Sequence, residues 1–193
     1  MEADWEVEIG GDAPVIDAQW PGFVDLRATP ERMAEIAEAR VLPPLADLLL
    51  ALNSEQSLVR TSKCDVWQPG PGAHACYVDL LPVRGGFFAE WERAEAFCRV
   101  LVKRITPRAV LSATMQPGRH PILVAGNESE VGATILLVVR RAVTGQSEGF
   151  GVTAYFSAEA ESSPIAVEAI ADAMVAFSNA LVPAASHAGP DQS

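Results

Sequence analysis

The chain has 193 residues, 49% hydrophobic and 20% charged, with 14 basic against 25 acidic side chains and a formal net charge of −11. A chain of this size and apolar content can build one packed domain without disulfides or a structural metal. The acidity argues against nucleic acid as a partner, because phosphate binding needs a basic field. No run of 18 uninterrupted apolar residues occurs, so no membrane span is expected.

The acidic start, Glu2, Asp4 and Glu6, is unlike the basic opening of a secretory leader. Cys64, Cys76 and Cys98 are odd in number and show no CxxC spacing, so they read as reduced thiols packed as small hydrophobes, which fits a cytoplasmic setting. Lys63 and Lys103 are the only lysines among the basic residues, and Ala and Val are abundant, which suits a GC-rich bacterial source.

Residues 5–9 alternate strictly between apolar and acidic, the pattern of a strand with one wet face. Residues 15–18 and 23–26 follow as short extended pieces around the Trp20-Pro21-Gly22 turn. Thr29 as N-cap, Pro30 at the first helical position and Glu31 in the first turn then open a helix. Its stripe, Met33, Ile36, Ala37 and Val41, is interrupted by Pro43-Pro44 and resumes as Leu45, Leu48, Leu49 and Leu52. Residues 58–67 and 74–81 read as two strands of a hairpin across the 68–73 Pro-Gly loop.

A long helix is predicted over 88–105, with the stripe Trp91, Ala94, Cys98, Leu101, Val102 and Ile105. Residues 109–115 and 122–125 are predicted strands around the 116–121 loop, and 133–143 and 150–158 form a hairpin across 144–149. Ser163-Pro164 opens the last helix, whose stripe is Val167, Ile170, Met174, Phe177 and Leu181, and Pro183 ends it.

The fold expected is α+β: a mainly antiparallel sheet with three helical segments packed on one face. Residues 1–183 form a single domain, and 184–193 a flexible tail. The strands-then-helix order also divides the chain at about 1–55, 56–107 and 108–183. Phe23-Val24-Asp25-Leu26 matches Tyr77-Val78-Asp79-Leu80, and Gln68-Pro69-Gly70 matches Gln116-Pro117-Gly118. Repeated β-β-α units would explain both matches; the commonness of Pro-Gly turns explains them more simply.

Charge is uneven. Residues 1–97 hold 7 basic and 17 acidic side chains, a net of −10, whereas 98–193 hold 7 and 8. Glu6, Glu8, Asp12, Asp17 and Asp25 crowd the first strands as a candidate acidic face for a basic protein partner. Arg99, Lys103 and Arg104 follow Glu90, Glu92 and Glu95 along one helix, which is the order the helix dipole favours. Trp20 and Trp67 sit at turn edges, where an indole serves either a recognition surface or the rim of the core.

Catalytic motifs are missing. No phosphate loop, GxGxxG, GxSxG or HExxH occurs, and His74, His120 and His187 are isolated. No cofactor or metal is therefore expected. His74 could pair with Asp65 or Cys64 across the hairpin, and Asp65 with Asp79 as two carboxylates, only if they share a cleft.

Two functions compete. The first is a non-enzymatic binding protein whose acidic face holds a basic partner, as an immunity or antitoxin-like inhibitor or an accessory subunit does, with a homo-oligomer as a variant. The second is a small-ligand binder or enzyme with a pocket between sheet and helices. The 68–74 and 116–121 loops would line it, supplying Asp65, Trp67, His74, Arg119 and His120.

Overall fold

The computed structural model describes residues 15–105, 112–114, 122–126 and 133–182. The predicted strand at 5–9, most of the one at 109–115, the 116–121 loop and the tail lie outside them. In chain order come β1 (Ile16–Asp17), a 3-10 helix (Pro30–Glu35), α1 (Ala37–Val41), α2 (Pro43–Leu52), β2 (Val59–Gly70), β3 (Ala73–Pro82) and α3 (Trp91–Ile105). Then follow β4 (Ser112–Thr114), β5 (Ile122–Gly126), β6 (Ala133–Thr144), β7 (Ser147–Glu159) and α4 (Ser163–Leu181).

The α+β class and the mostly antiparallel pairing are as expected, with two corrections. Among the described residues there are five helical segments, not three, because the predicted first helix breaks twice. Ile36 (φ −82°, ψ 107°) is extended, and Leu42 (φ −126°, ψ 87°) also leaves helical geometry. The second break has a clear cause, since Pro43 disfavours helical geometry in the residue before it while suiting the start of α2. Thr29 does not cap by its side chain; its hydroxyl donates instead to Asp25 O at 2.7 Å.

The second correction is that the sheet, though mainly antiparallel, also contains a parallel pair and is therefore mixed. It runs β2-β3-β7-β6-β5-β4, and β1 joins β6 in parallel, with Ile16 opposite Ala142. A hairpin followed by a helix occurs twice among the described residues, as β2-β3-α3 and β6-β7-α4. Both hairpin loops are tighter than predicted, with Gly72 (φ +74°) and Gly145 (φ +57°) taking the left-handed geometry that their two-residue turns require.

Alternation sorts the sheet into two faces. Cys76, Val78 and Leu80 of β3 stand beside Phe156, Ala154 and Val152 of β7 and Ile135, Leu137 and Val139 of β6. This face packs with Leu45, Leu49 and Leu52 of α2, Cys98 and Val102 of α3, and Ile170, Met174 and Phe177 of α4 in one continuous core. By length and composition α4 could cross a membrane, yet its apolar stripe is buried in this core and Glu168 and Asp172 face outward. Asn53 joins α2 to β2. Its side-chain amide donates to Leu49 O at 2.8 Å and Thr61 Oγ1 at 2.7 Å, and its carbonyl accepts from Thr61 N at 3.1 Å.

The second face carries no described helix. A smaller cluster of Ile16, Ala18, Leu81 and Ala142, with Phe87 against it, fills one end. Here β1 decides the shape. It pairs with β6, and it also touches β2 through Ser62 Oγ donating to Asp17 O at 2.5 Å and Trp20 Nε1 donating to Ser62 O at 3.2 Å. Because β2 and β6 are separated by β3 and β7, the sheet must curl until its two sides meet at β1. Gly151 makes the curl possible. A Cβ there would stand 2.8 Å from Leu80 O and 2.9 Å from Ile16 Cδ1 and Leu81 Cδ2.

Candidate functional site

The concave side of the curl holds polar side chains where alternation would otherwise place core. On β3, Tyr77 and Asp79 point there; on β7, Thr153 and Tyr155; on β6, Arg140. Tyr77 lies opposite Tyr155 and Asp79 opposite Thr153. Asp79 is 8% exposed, Arg140 5% and Thr153 1%. Charges removed this far from water must be stabilised by neighbours. Thr153 Oγ1 donates to Asp79 Oδ1 at 2.6 Å, and Arg140 Nη2 donates to Tyr155 Oη at 2.5 Å. The guanidinium carbon stands 5.9 Å from the centre of the Tyr155 ring.

A β-bulge completes the wall. Thr61 pairs with Leu80 and Cys64 with Val78, so Ser62 and Lys63 together oppose the single residue Asp79. A bulge adds a residue, bends the strand and re-aims its side chains. Lys63 thereby joins the site, while Ser62 uses its hydroxyl and carbonyl to hold β1 and Trp20.

These residues enclose an open cavity of about 260 Å³ lined by Val15, Asp17, Trp20, Lys63, Tyr77 and Asp79, with Arg140, Thr153 and Tyr155 at its base. A second cavity of about 110 Å³ lies beyond Trp20, between the 3-10 helix, α1 and β2, where Glu35, Glu38 and Cys64 contribute.

Of the residues proposed from sequence for a pocket, Trp67 adjoins this site. Its ring is 6.3 Å from Tyr77 and 6.5 Å from Tyr155, extending the aromatic wall beyond the cavity. Asp65 lies opposite Tyr77 but is exposed, and its Oδ1 accepts from Val66 N at 2.8 Å. His74 alternates with Cys76 onto the helix side, and its Nε2 accepts from the Gln68 amide at 3.1 Å. Asp65 and His74 thus stand on opposite sides of the hairpin, and a dyad between them does not form. Asp65 and Asp79 do share the concave side, one at its exposed rim and the other buried. The 260 Å³ cavity lies on the face away from the helices, whereas the 110 Å³ cavity lies between β2 and the first helical segments. Arg119 and His120 lie outside the described residues.

Of the acidic-face candidates, Glu6, Glu8 and Asp12 lie outside the described residues. Asp17 lines the cavity and accepts from Gln19 N at 2.9 Å. Asp25 turns the chain, its Oδ1 accepting from the Arg27 and Ala28 amides at 3.1 Å each.

The sequence reading missed Arg140, Thr153, Tyr155 and Lys63 as a group. One signal was present: Arg140 interrupts a run of apolar residues on β6, where a buried strand would carry none. Their convergence depends on strand order and on the bulge, which no local pattern reveals.

No described thiol is activated. Burial pushes Cys64 and Cys98 up to about 12 from 9.0, with Glu38 and Glu95 respectively adding to the shift, and burial raises Cys76 further. A neutral thiol is a poor nucleophile. Between the unfolded value near 9 and the folded value near 12, the folded chain holds these protons while the unfolded chain releases them. Stability contributed by the thiols is therefore intact below pH 9 and declines as pH rises above it. Accordingly, a disulfide-exchange reagent at pH 8 should react with Cys76 and Cys98 only as fast as the chain opens, and with all three at once in denaturant. Rapid labelling of the native chain at Cys98 would contradict this burial.

Among the described residues, no three His, Cys, Asp or Glu side chains gather as a metal site. The chain matches no family model, no curated protein and no solved structure.

Proposed function

We propose that the chain is a binding protein that holds a small polar ligand in the curl of its sheet. The observation that carries this reading is the open cavity of about 260 Å³ floored by Asp79, Arg140, Thr153 and Tyr155, all at least nine-tenths buried. A sheet interior assembled only for stability would be apolar, because burying charge costs several kcal/mol per ion even after relaxation. Aromatic walls with a few fixed polar groups are the usual composition of a ligand pocket. Binding is favoured over catalysis because the described thiols are held neutral and His74 stands away from the cavity.

Amide NMR of the full chain against a set of small polar compounds tests this. Binding should move the signals of residues 63, 77, 79, 140, 153 and 155 together and saturably. If no compound moves them, or if all movement maps to the helices, the reading falls.

The acidic-face reading keeps one specific support. Asp17, Asp25, Glu31, Glu35, Asp47 and Glu55 are all exposed in the front of the chain, and among them only Glu35 has a described ion pair, with Arg32. A basic protein partner held there, in a cytoplasmic setting that keeps the thiols reduced, would associate quickly at low salt and lose affinity as salt rises. Salt-insensitive association would remove this second reading.

A further inference from the structure

The second cavity, about 110 Å³ between the 3-10 helix, α1 and β2, differs in chemistry from the first. Trp20, Val24, Ile36, Leu49 and Cys64 give it a mainly apolar wall, which two carboxylates, Glu35 and Glu38, also join. The two acids are not equivalent. Glu35 is occupied, accepting from Arg32 Nε at 2.8 Å and from Arg32 Nη2 at 2.7 Å. Glu38, half-buried in the first turn of α1, forms no ion pair among the described residues. Its charge is felt in the cavity wall, where it follows burial in holding the proton on Cys64. A carboxylate partly removed from water without a cation is stabilised when one arrives.

Size and shape select the cation. At about 30 Å³ per water the cavity corresponds to roughly three or four waters, hence about four non-hydrogen atoms. The end of a lysine side chain has that size, and lysine lays its methylenes on apolar surface while its head stays in polar company. A guanidinium is a broad planar fork and fills the space before any stem enters. The Trp20 ring is fixed for the contact. Its Nε1 donates to Ser62 O at 3.2 Å, and Gly22 (φ +103°) approaches so closely that a Cβ there would stand 2.7 Å from the ring. Among aromatic side chains, the indole face attracts a cation most strongly.

The small volume also points to a cation carried on a protein. A free ligand of about four atoms binds weakly at best. A partner's lysine adds its contact to those made over the exposed carboxylates Asp25, Glu31 and Asp47 on the same stretches of chain.

We infer that this cavity anchors a lysine side chain of a basic protein partner, its ammonium toward Glu38 and its methylenes against Trp20 and Ile36. This rests on the basic-partner reading above and adds the point of attachment and the residue that fills it. Lys63 also lines the cavity, so it opposes the incoming cation and supplies a test of opposite sign.

NMR titration of the full chain at low salt with three N-acetylated pentapeptides, of lysine, of arginine and of Nε-acetyl-lysine, decides the matter. The lysine peptide should bind and move the Trp20 indole signal together with the amides of residues 36, 38 and 64. The arginine peptide should bind at least about threefold more weakly, and the uncharged acetyl-lysine peptide should not bind. Glu38→Gln keeps the shape of the side chain and should weaken the lysine peptide about fivefold. Asp47→Asn removes the same charge from an exposed position on α2 and should weaken it by less than about twofold. Lys63→Gln should tighten it by about twofold.

Equal losses in Glu38→Gln and Asp47→Asn, or arginine binding as tightly as lysine, would overturn the lysine anchor while leaving the acidic face as a docking surface. Weaker binding of the lysine peptide in Lys63→Gln would overturn the cavity as the place where the cation enters. No binding of the lysine peptide at all would overturn both the anchor and the basic-partner reading.

Discussion

Phe177→Ala is expected to destabilise the chain by about 3–5 kcal/mol, the range for removing a fully buried phenylalanine. Phe177 lies on the inner stripe of α4 with no exposed surface, and its ring meets Phe156 of β7 edge-to-face, 5.1 Å between centres at 84°. The loss combines transfer of the ring, the cavity left between α4 and the sheet, and the aromatic pairing itself. At about 2–4 °C per kcal/mol for a domain of this size, the melting temperature should fall by about 10 °C. Val175 on the same helix is 58% exposed, so Val175→Ala should change stability by no more than about 0.5 kcal/mol. Urea unfolding of the two variants gives the comparison; near-equal midpoints would mean that α4 is not seated on β7 as described.

The second large effect concerns the curl. Gly151→Val places side-chain carbons where Leu80 O, Ile16 Cδ1 and Leu81 Cδ2 already stand within 2.9 Å of the Cβ position. The Leu80 carbonyl belongs to a paired strand and cannot withdraw cheaply, so the strain is relieved by expelling Ile16 and with it β1. Overpacking of this kind costs about 1–3 kcal/mol, and the loss of β1 from β6 gives it a local signature. The Ala18 amide, which donates to Val143 O at 2.8 Å, should exchange with solvent far faster than in the parent chain, while amides in the β3–β7 ladder stay protected. Ligand binding should weaken in parallel, because Asp17 and Trp20 leave the cavity wall with β1. Unchanged protection at Ala18 would show that the close packing at Gly151 does not hold the curl together.

These two substitutions probe opposite faces of one sheet, and the faces differ in how plainly the sequence announced them. On the helix side, the stripes of the last two helices and the alternation of Cys76, Val78 and Leu80 follow directly from the 3.6-residue and two-residue periods, and the core contains them. The concave side shows the same period with a mixed set of residues, Tyr77, Asp79, Thr153, Tyr155 and Arg140, which reads equally as a solvated face. Burial of Asp79 and Arg140 requires β1 to reach across from β6 to β2, a pairing between segments far apart in the chain. Nothing local to β3 or β6 encodes it.

The breaks in the first helical region lie between these extremes. Pro43 marks the second break in the sequence, because proline constrains the residue before it, whereas no proline or glycine marks Ile36. Lys63 is a sharper case. Strict alternation of 58–67 assigns each residue to one face, but the extra residue at Ser62-Lys63 shifts the register and delivers Lys63 to the concave side opposite Asp79.

By itself, the amino-acid order determined which residues share a face of each strand or helix, where most turns fall, and that a core of this size closes without disulfides. Those properties depend on covalent geometry and near neighbours. Only the tertiary structure decided which face of the sheet the helices cover, that the sheet curls until β1 touches β2, and that two acids and two bases meet around one cavity. The physical reason is that strand order, sheet curvature and bulge register are set by long-range pairing and close packing, with Gly151, Ile16 and Ser62 as the contacts that fix them here.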